Sequence, residues 1–526
     1  MRKIIITLFT IASLFNAKAQ NVGIGTLAPT TKLHVLAASN PLRLEGLLGG
    51  ASTDSILTTD ATGVIRKRTI ANTISTSGWS LAGNAGTTIA TQFLGTTDGI
   101  SLAFRTNNVR SAFLDYDSSK RNNSFGNRAM SSSITGTGNN AFGFMALKNL
   151  TTGNNNSAFG DSAAFALTGG TDNVFIGRDA AVALTNGMQN VGIGTRTLAT
   201  DGASNNNIAI GFRSMENTFN SDNIGIGVLS LNKNLSGSNS IAIGSNALTN
   251  YTGNTFDMAI GQDALSAMTS GTENLAYGYR AGFNLTTQVQ NTLIGHYALG
   301  NVAASSASNN TMMGYQAGGN MTTGSNNVAI GYLTLGANFL SGSSNTFVGY
   351  AADGTLANAS FSNSGAFGNG VSISSNNTYR VGNTSASSIG GQVGWTTVSD
   401  ERVKINVKED IKGLDFILAL RPVSYNYNLA AIDKFYRPKQ PATQYNTDNT
   451  ATRFSGFLAQ EVQKTASKVG YNFSGVDVPQ NDQTLYGLRY AEFVVPLVKA
   501  VQELKGIIEK KQEEIDLLKT LIMKNK

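Results

Sequence analysis

The chain has 526 residues, of which only 13% are charged and 58 are glycine. It contains no cysteine, which excludes disulfides and thiolate metal sites, and its only histidines, His34 and His296, leave little for a histidine metal site or a serine triad. We therefore expect no metal and no other cofactor. Because 41% of the residues are hydrophobic, the low charge does not indicate general disorder, and the abundant Gly, Asn, Ser and Thr predict a mainly β, elongated protein.

The first 19 residues have the features of an export signal. Arg2 and Lys3 form a basic start, residues 4–15 are apolar, and residues 17–19 (Ala-Lys-Ala) are typical of a cleavage site. The apolar run is too short for a membrane-spanning helix, and no later stretch is a candidate. We expect an exported protein, at the cell surface or outside the cell. Cleavage before Gln20 leaves 36 basic and 32 acidic residues, which is weak support for a nucleic-acid partner.

Residues 20–120 are predicted to form an N-terminal β segment. Residues 60–63 are predicted to form the turn of a hairpin. His34 is interpreted as a strand residue rather than a metal ligand. The predicted strand-like runs are residues 32–35, 42–45, 56–59, 64–67, 79–84 and 93–98. The opening of this segment resembles the start of tail-fibre-like surface proteins of Bacteroidetes-type bacteria.

Residues 121–395 contain a repeat with a period close to 17 residues. A glycine preceded by an apolar residue recurs fifteen times, and ten of the fourteen intervals between these glycines are 17 residues long. The third residue after the glycine is Ala, Ser or Thr in fourteen of the fifteen cases. The repeated glycines are Gly126, Gly143, Gly160, Gly177, Gly194, Gly211, Gly227, Gly244, Gly261, Gly278, Gly295, Gly314, Gly331, Gly349 and Gly368. A fixed period sustained over this length is typical of a repeat fold.

Seventeen residues are too few for a two-helix repeat and suit one coil of a β-roll. In one repeat, Val328 and Ile330 would point to one face of a short strand and Ala329 to the other. Gly331 would then allow a bend that is closed to other residues. Asn-rich turns such as residues 154–156 would stack into hydrogen-bonded ladders. At about 4.8 Å per coil, the predicted shaft is roughly 70 Å long.

The repeat resembles the β-roll head of trimeric autotransporter adhesins, whose own repeat is somewhat shorter. The resemblance implies an elongated, parallel β-roll or solenoid that assembles as a trimer. A plain spacer rod without a ligand is the alternative. The repeat has no paired carboxylates at regular offsets, no calcium-binding repeat and no phosphate-binding loop.

The density of charged residues rises about fourfold at residue 399, with 19 in residues 121–398 and 35 in residues 399–526. We therefore predict a domain boundary near residue 396. Four motifs follow in the C-terminal part: Val398-Ser399-Asp400-Glu401-Arg402-Val403-Lys404, Leu420-Arg421-Pro422-Val423, Gly456-Phe457-Leu458-Ala459-Gln460-Glu461 and Tyr490-Ala491-Glu492-Phe493.

These motifs resemble the peptidase S74 family, the intramolecular chaperone domain of phage endosialidase tailspikes and many tail fibres. The similarity spans about residues 396–526 and implies an α+β chaperone domain. An insert near residues 429–452, which we expect to be a surface loop, departs from the family pattern.

The resemblance also implies a single-turnover serine–lysine autoprotease. Ser399 would be the nucleophile, Lys404 its base, and the cut would fall between Val398 and Ser399. Residues five apart on a flat strand face opposite ways, so a bend, a bulge or a neighbouring chain must bring the two together. The alternative is that Ser399 and Lys404 lie on a solvated strand and do not react.

The chain ends in a predicted helix whose apolar seam covers about residues 494–523. The seam advances in alternating steps of four and three: Leu497, Val501, Leu504, Ile508, Lys511, Ile515, Leu518 and Ile522. Because seven of these eight residues are apolar, the pattern predicts a coiled coil between chains. A helix packed on its own domain is the alternative.

The segments together predict an exported, fibrous homotrimer with a C-terminal folding chaperone. We expect a cell-surface adhesin or receptor-binding fibre, whose partner beyond itself is a surface glycan or a host-cell receptor. A purely structural appendage and a glycan-cleaving fibre are the alternatives. The latter needs clustered Asp and Glu, whereas the 10 acidic residues of the segment 121–398 are dispersed.

Overall fold

The computed structural model describes residues 22–24, 33–35, 55–59, 65–69, 93–130, 133–200, 202–253, 255–301, 307–336, 339–354, 359–436, 451–482 and 484–526. The predicted export signal and the predicted strands at 42–45 and 79–84 lie outside the described residues. The chain divides into two units, residues 1–95 and residues 96–526. Within the described residues, no helix is both long enough and apolar enough to cross a membrane.

The first unit contains two strand pairs. Strands β1 (Val22–Ile24) and β2 (Leu33–Val35) are parallel, whereas β3 (Ser55–Thr59) and β4 (Ile65–Thr69) form an antiparallel pair. The second pair is the hairpin predicted around residues 60–63. The strand expected at residues 93–98 is not formed, because these residues contain bends instead.

The second unit begins with an antiparallel hairpin, β5 (Leu102–Thr106) and β6 (Val109–Leu114), and continues as a long series of short strands. These are β7 (Asn123–Phe125), β8 (Asn140–Phe142), β9 (Ser157–Phe159), β10 (Val174–Ile176), β11 (Val191–Ile193), β12 (Ile208–Ile210), β13 (Ile224–Ile226), β14 (Ile241–Ile243), β15 (Met258–Ile260), β16 (Leu275–Tyr277), β17 (Thr292–Ile294), β18 (Thr311–Met313), β19 (Val328–Ile330), β20 (Phe339–Ser341), β21 (Thr346–Val348), β22 (Asp353–Gly354), β23 (Ala359–Ser360), β24 (Gly365–Phe367), β25 (Ser372–Ile373) and β26 (Tyr379–Val381).

Most of these strands form one parallel ladder, in which each strand pairs with the equivalent strand of the next repeat. For example, Val174 pairs with Val191 and Ile241 with Met258. Two short parallel pairs, β20 with β23 and β22 with β25, lie beside the ladder near its end. The hairpin β5–β6 joins the other end, where β6 pairs antiparallel with β7. The predicted fold class is confirmed: the protein is mainly β, with a parallel solenoid of about 14 turns.

The interior of this shaft is formed by the small and apolar residues of each repeat. The middle residue of each strand from β7 to β19 points inward, as Ala329 does, and the Ala, Ser or Thr three residues after the repeated glycine is buried too. The strand residues on either side, such as Ile330, face outward. The small third residue therefore lies inside the coil, in the core that runs from Ala129 to Ile373.

Each repeated glycine is required by its backbone conformation and by close packing of successive turns. Gly331 has φ +132°, and a Cβ there would lie 2.1 Å from the carbonyl oxygen of Gly349 in the next turn. No side chain fits that space. The predicted bend at this position is confirmed.

A ladder of buried asparagines runs along the shaft, one in most turns. Asn156 shows the pattern: its Oδ1 accepts from the backbone N–H of Asn173 at 3.3 Å and from Asn173 Nδ2 at 2.8 Å. Its own Nδ2 donates to Asn139 Oδ1 at 3.0 Å and to the carbonyl of Gly170 at 2.8 Å. The sequence predicted stacked Asn turns, and the structure places one Asn of each inside the coil with its amide fully hydrogen-bonded.

In the C-terminal part, the structure gives the bounds of four helices and four short strands among the described residues. In chain order these are α1 (Leu414–Ala419), β27 (Val423–Tyr425), α2 (Leu429–Tyr436), β28 (Phe454–Gly456), α3 (Ala459–Lys468), β29 (Val476–Asp477), β30 (Gly487–Leu488) and α4 (Val494–Lys524), with 3₁₀ turns at Glu401–Val403 and Tyr490–Phe493. Strands β27 and β28 are antiparallel, as are β29 and β30. The core is small: Phe416, Val462, Ala466 and Phe493 are its buried residues.

The start of the insert is a helix rather than the expected surface loop. Residues Leu429–Tyr436 form α2, and Leu429 and Asp433 are buried. Tyr436 meets the last turn of the shaft, where Arg380 lies 4.6 Å from its ring centroid and donates to its hydroxyl at 3.2 Å. An insert that packs against the shaft carries apolar residues on one face, whereas a free loop would not. Residues 437–450 of the insert lie outside the described residues.

Candidate active site

The backbone reverses direction immediately after Ser399. Asp400 caps the 3₁₀ turn Glu401–Val403, because its Oδ1 accepts from the backbone N–H of Arg402 at 2.9 Å. The Arg402 guanidinium closes the same turn with three further bonds to the Asp400 carboxylate, at 3.0, 3.1 and 2.6 Å. This charge-assisted contact lowers the pKa of the Asp400 carboxyl. The Lys404 N–H ends the turn by donating to the carbonyl of Glu401.

The turn brings the two predicted site residues together within one chain. Lys404 Nζ lies 2.6 Å from Ser399 Oγ, a hydrogen-bond distance. A flat strand would have separated these side chains, and the bend that the sequence analysis required is supplied by a single 3₁₀ turn. The spacing Ser-Asp-x-Arg-x-Lys thus has a structural meaning: Asp400 and Arg402 build the turn, and Ser399 and Lys404 face each other across it.

The site is open to solvent in the single chain. Ser399 and Lys404 are exposed, and so is the bond predicted to be cut, since Val398 is largely uncovered. Seven apolar side chains around the site are each more than 60% exposed: Ile389, Val393, Trp395, Val398, Val403, Ile405 and Val407. These exposed side chains make the segment 389–407 a candidate binding surface.

The other sequence motifs hold the domain together rather than reaching the site. Arg421 donates to Glu461 at 3.0 Å, which joins the second motif to the third and raises the pKa of the Arg421 guanidinium. Tyr490 of the fourth motif accepts from the Phe457 N–H at 3.1 Å. Gly456 is needed at this contact, because a Cβ there would lie 2.1 Å from the Tyr490 hydroxyl. The last three motifs are therefore linked in space as well as in order.

The long helix α4 is attached to this domain only at its beginning. The N–H of Leu414, at the start of α1, donates to Glu503 Oε2 of α4 at 2.6 Å. Pro496 and Ala500 are the buried residues of α4, and beyond them the helix extends into solvent. The apolar seam of this helix is visible in the sequence, whereas no sequence pattern predicts the contact of Glu503 with Leu414.

Residues 399–471 match the family model of peptidase S74, described as the chaperone of endosialidase. The chain carries an endosialidase-chaperone domain. The match begins at Ser399, the first residue after the predicted cut, and includes three of the four motifs. Comparison with the curated proteins and with the solved structures gave no match.

Nothing in the described part of the chain suggests that the chaperone domain works with a metal. No group of three or more His, Cys, Asp or Glu side chains among the described residues could hold a metal ion. The chemistry available at residues 398–404 is that of a serine hydroxyl and a lysine amine in contact.

Proposed function

We propose that this protein is the subunit of an exported homotrimeric fibre, and that its chaperone domain assembles three chains and is then removed by its own Ser399. A chaperone domain that follows a β-solenoid shaft fits a tail-fibre-like protein. The observation that carries the autoproteolysis proposal is the 2.6 Å contact between Lys404 Nζ and Ser399 Oγ.

The proposed reaction is an acyl shift followed by hydrolysis. Ser399 Oγ attacks the carbonyl carbon of Val398 while the uncharged amine of Lys404 takes the hydroxyl proton. The amide C–N bond then breaks, and the Ser399 nitrogen leaves as an amine after receiving a proton from Lys404. Water hydrolyses the resulting ester, which gives a Val398 carboxylate and restores the Ser399 hydroxyl. Each chain is cut once.

Assembly is the proposed trigger for the cut. A lysine amine accepts a proton in its uncharged form, which removal of water favours. The seven exposed apolar side chains around the site, from Ile389 to Val407, would be covered when neighbouring chains pack along this segment. Covering them would exclude water from the Ser399–Lys404 pair, so that cleavage would follow assembly.

The proposal of a trimeric coiled coil is supported by the exposure of α4. All seven apolar residues of the predicted seam, from Leu497 to Ile522, are exposed to solvent in the single chain. Of the two sequence interpretations, a helix packed on its own domain would have buried them. A seam of this regularity is covered by the same seam of other copies.

For the mature shaft we propose the role of a cell-surface adhesin or receptor-binding fibre. The solenoid offers an extended regular surface, and repeat proteins use such surfaces for binding. A glycan-cleaving role is not favoured, because the acidic residues of the shaft are few and dispersed.

Intact-mass measurement of the assembled protein tests the cleavage proposal. We expect the wild-type chain to yield a fragment of residues 399–526, and both Ser399→Ala and Lys404→Ala to remain full-length but trimeric. Lys408→Ala, which removes an exposed lysine four residues further on, is the matched control and should be cut normally. A wild-type trimer that stays intact, or a fragment that begins elsewhere than Ser399, would contradict the proposal.

A further inference from the structure

The shaft carries a column of stacked aromatic rings on its surface. In five consecutive turns the residue after the repeated glycine is aromatic: Tyr279, His296, Tyr315, Tyr332 and Tyr350. The ring centroids of successive members lie 4.7, 6.0, 5.2 and 5.2 Å apart. The last three rings are nearly parallel, with interplanar angles of 11° and 7°. We call these five residues the aromatic column.

The rings of the aromatic column remain accessible. Tyr315, Tyr332 and Tyr350 are 41%, 44% and 57% exposed, respectively. Part of each of these rings therefore stays open to solvent beside its stacked neighbours. Met313 and Ile330, which precede two column residues by two positions, are also exposed and extend the apolar surface.

One end of the aromatic column is fixed by a paired arginine. The Arg280 guanidinium lies 5.2 Å from the Tyr279 ring centroid, and it donates to Tyr297 at 2.9 Å and to Asp263 at 3.3 Å. Its charge is therefore balanced by Asp263, and its plane packs on rings rather than standing free in solvent.

The remainder of this part of the shaft is uncharged. Residues 281–352, which include four of the five column residues, contain no Lys, Arg, Asp or Glu. A surface without charge gives no electrostatic attraction to an anionic polymer or an anionic membrane. It does provide what a neutral, hydroxyl-rich polymer requires: aromatic faces for its C–H surfaces, and Tyr, Asn, Gln, Ser and Thr groups for its hydroxyls.

We propose that the aromatic column is the binding site for a neutral glycan chain that lies along the shaft. A sugar ring is similar in width to a phenol ring, so successive sugars can contact successive turns. Because repeated weak contacts on one ligand reinforce each other, five rings bind where one would not. This inference rests on the proposed role as a binding fibre, and it adds the site and the class of ligand.

Binding of the assembled protein to immobilised glycans tests the proposal, with neutral glucans, mannans and galactans set against polysialic acid and heparin. The wild-type protein should bind a neutral glycan, with little dependence on salt. The double variant Tyr315→Ser, Tyr332→Ser should weaken binding roughly tenfold or more, because tyrosines are among the strongest contributors to interfaces. The matched control is Phe144→Ser, Phe212→Ser, since these exposed rings occupy the same position of the repeat but have no aromatic residue at that position in the turns on either side.

A footprint on the wild-type protein gives a second measurement. Bound glycan should protect Tyr315, Tyr332 and Tyr350 from nitration by tetranitromethane, whereas Tyr379, which is 60% exposed outside the column, should react as before.

Three outcomes would overturn the proposal. They are salt-sensitive binding to the acidic glycans only, unchanged binding by the tyrosine double variant, and loss of the trimer in that variant, which would make the column a contact between chains. If the wild-type fibre binds cells but no glycan, the glycan site is wrong while the fibre function stands. If it binds neither, both fail.

Discussion

The shaft and the chaperone domain differ in where their apolar residues find partners. The shaft has a continuous core from Ala129 to Ile373 and a hydrogen-bonded Asn ladder, both formed within one chain. The chaperone domain has four buried core residues, and it leaves the seam of α4 and the segment around Ser399 in solvent. The shaft buries a continuous apolar core within one chain, whereas the chaperone domain leaves two apolar segments in solvent.

This difference suggests a division of labour during folding. Each turn of the shaft stacks on the turn before it. Folding of the shaft therefore depends more on nucleation of the first turns than on contact with another chain. In the proposed trimer, other copies cover the exposed apolar side chains of the chaperone domain, which also touches the last shaft turn through Arg380 and Tyr436. Gathering three chains at that end raises the local concentration of the shafts. Changes confined to one region separate its contribution to folding and assembly from that of the other.

The largest effect is expected from charges placed in the α4 seam. Ile508→Asp with Ile515→Asp would put six carboxylates in the core of a trimer, at a cost of several kcal/mol per ion. Because both side chains are exposed in the single chain, the helix itself should survive. Light scattering should show monomers, and the uncut chain should persist in intact-mass measurements. The control pair Lys510→Asp and Leu517→Asp changes exposed residues of the same helix outside the seam, and normal trimers are expected.

A change at a shaft bend should be the most damaging change within one chain. Gly244 has φ +133°, and a Cβ would lie 2.5 Å from the carbonyl oxygen of Gly261. Gly244→Ala should therefore cost about 3–5 kcal/mol and expose nearby turns to protease. Gly202→Ala is the control: a Cβ there meets nothing within 4 Å, and the change should be within about 0.5 kcal/mol. Equal protease resistance of the two variants would contradict the assigned register.

Breaking one rung of the Asn ladder should have an intermediate effect. Asn190→Ala removes two bonds from Nδ2, to Asn173 and to the Ser204 carbonyl, at 3.1 and 2.8 Å. It also leaves the buried N–H of Asn207 without the acceptor that now lies 3.0 Å away. We expect a loss of about 2–4 kcal/mol in thermal or denaturant unfolding. Asn250→Ala, whose side chain bonds only at the surface, should cost less than about 1 kcal/mol, and a similar loss in both would show that the ladder has no special role.

Much of the shaft could be predicted from the sequence because the residue type at each position of the repeat indicates whether that position is buried. The period, the glycine bends, the small inner residues and the stacking of Asn turns all follow from residue size and backbone freedom. The left-handed backbone of non-glycine residues could not be predicted in this way. Met145 and Leu147, two and four residues after Gly143, have φ of +56° and +49°. The closure of the coil imposes these angles, and no residue type at either position signals them.

At the candidate site, a family resemblance identified the residues, and the structure supplied their geometry. Spacing alone left Ser399 and Lys404 on opposite faces of a strand, and the turn capped by Asp400 brings them into contact. A 3₁₀ turn of three residues has no periodic pattern to reveal it. The helical start of the insert was missed for another reason: its burial depends on the end of the shaft, which is distant in the sequence.

The smallest expected effect concerns an irregular rung of the ladder, where Asp257 stands in place of Asn. Its Oδ1 accepts from Asn274, but its buried Oδ2 lacks a hydrogen bond among the described residues, as does the buried hydroxyl of Tyr251 beside it. Burial raises the pKa of the Asp257 carboxyl above its ordinary value of 3.8, with Glu273 adding to the shift. An asparagine here would present a neutral donor toward the carbonyl of Gly271, which corresponds to the acceptor used by other rungs.

Asp257→Asn should therefore stabilise the shaft by about 1–2 kcal/mol at neutral pH. The sign of the pH dependence follows from the raised pKa. The folded chain holds this proton more tightly than the unfolded chain, so the contribution of Asp257 to stability is greatest below pH 3.8 and is lost as the pH rises through its folded-state pKa. The advantage of the variant should thus grow between pH 4 and pH 8 in thermal unfolding. Asp161→Asn, at an exposed position, should show no such change, and an advantage that is constant with pH would mean that Asp257 does not bind a proton on folding.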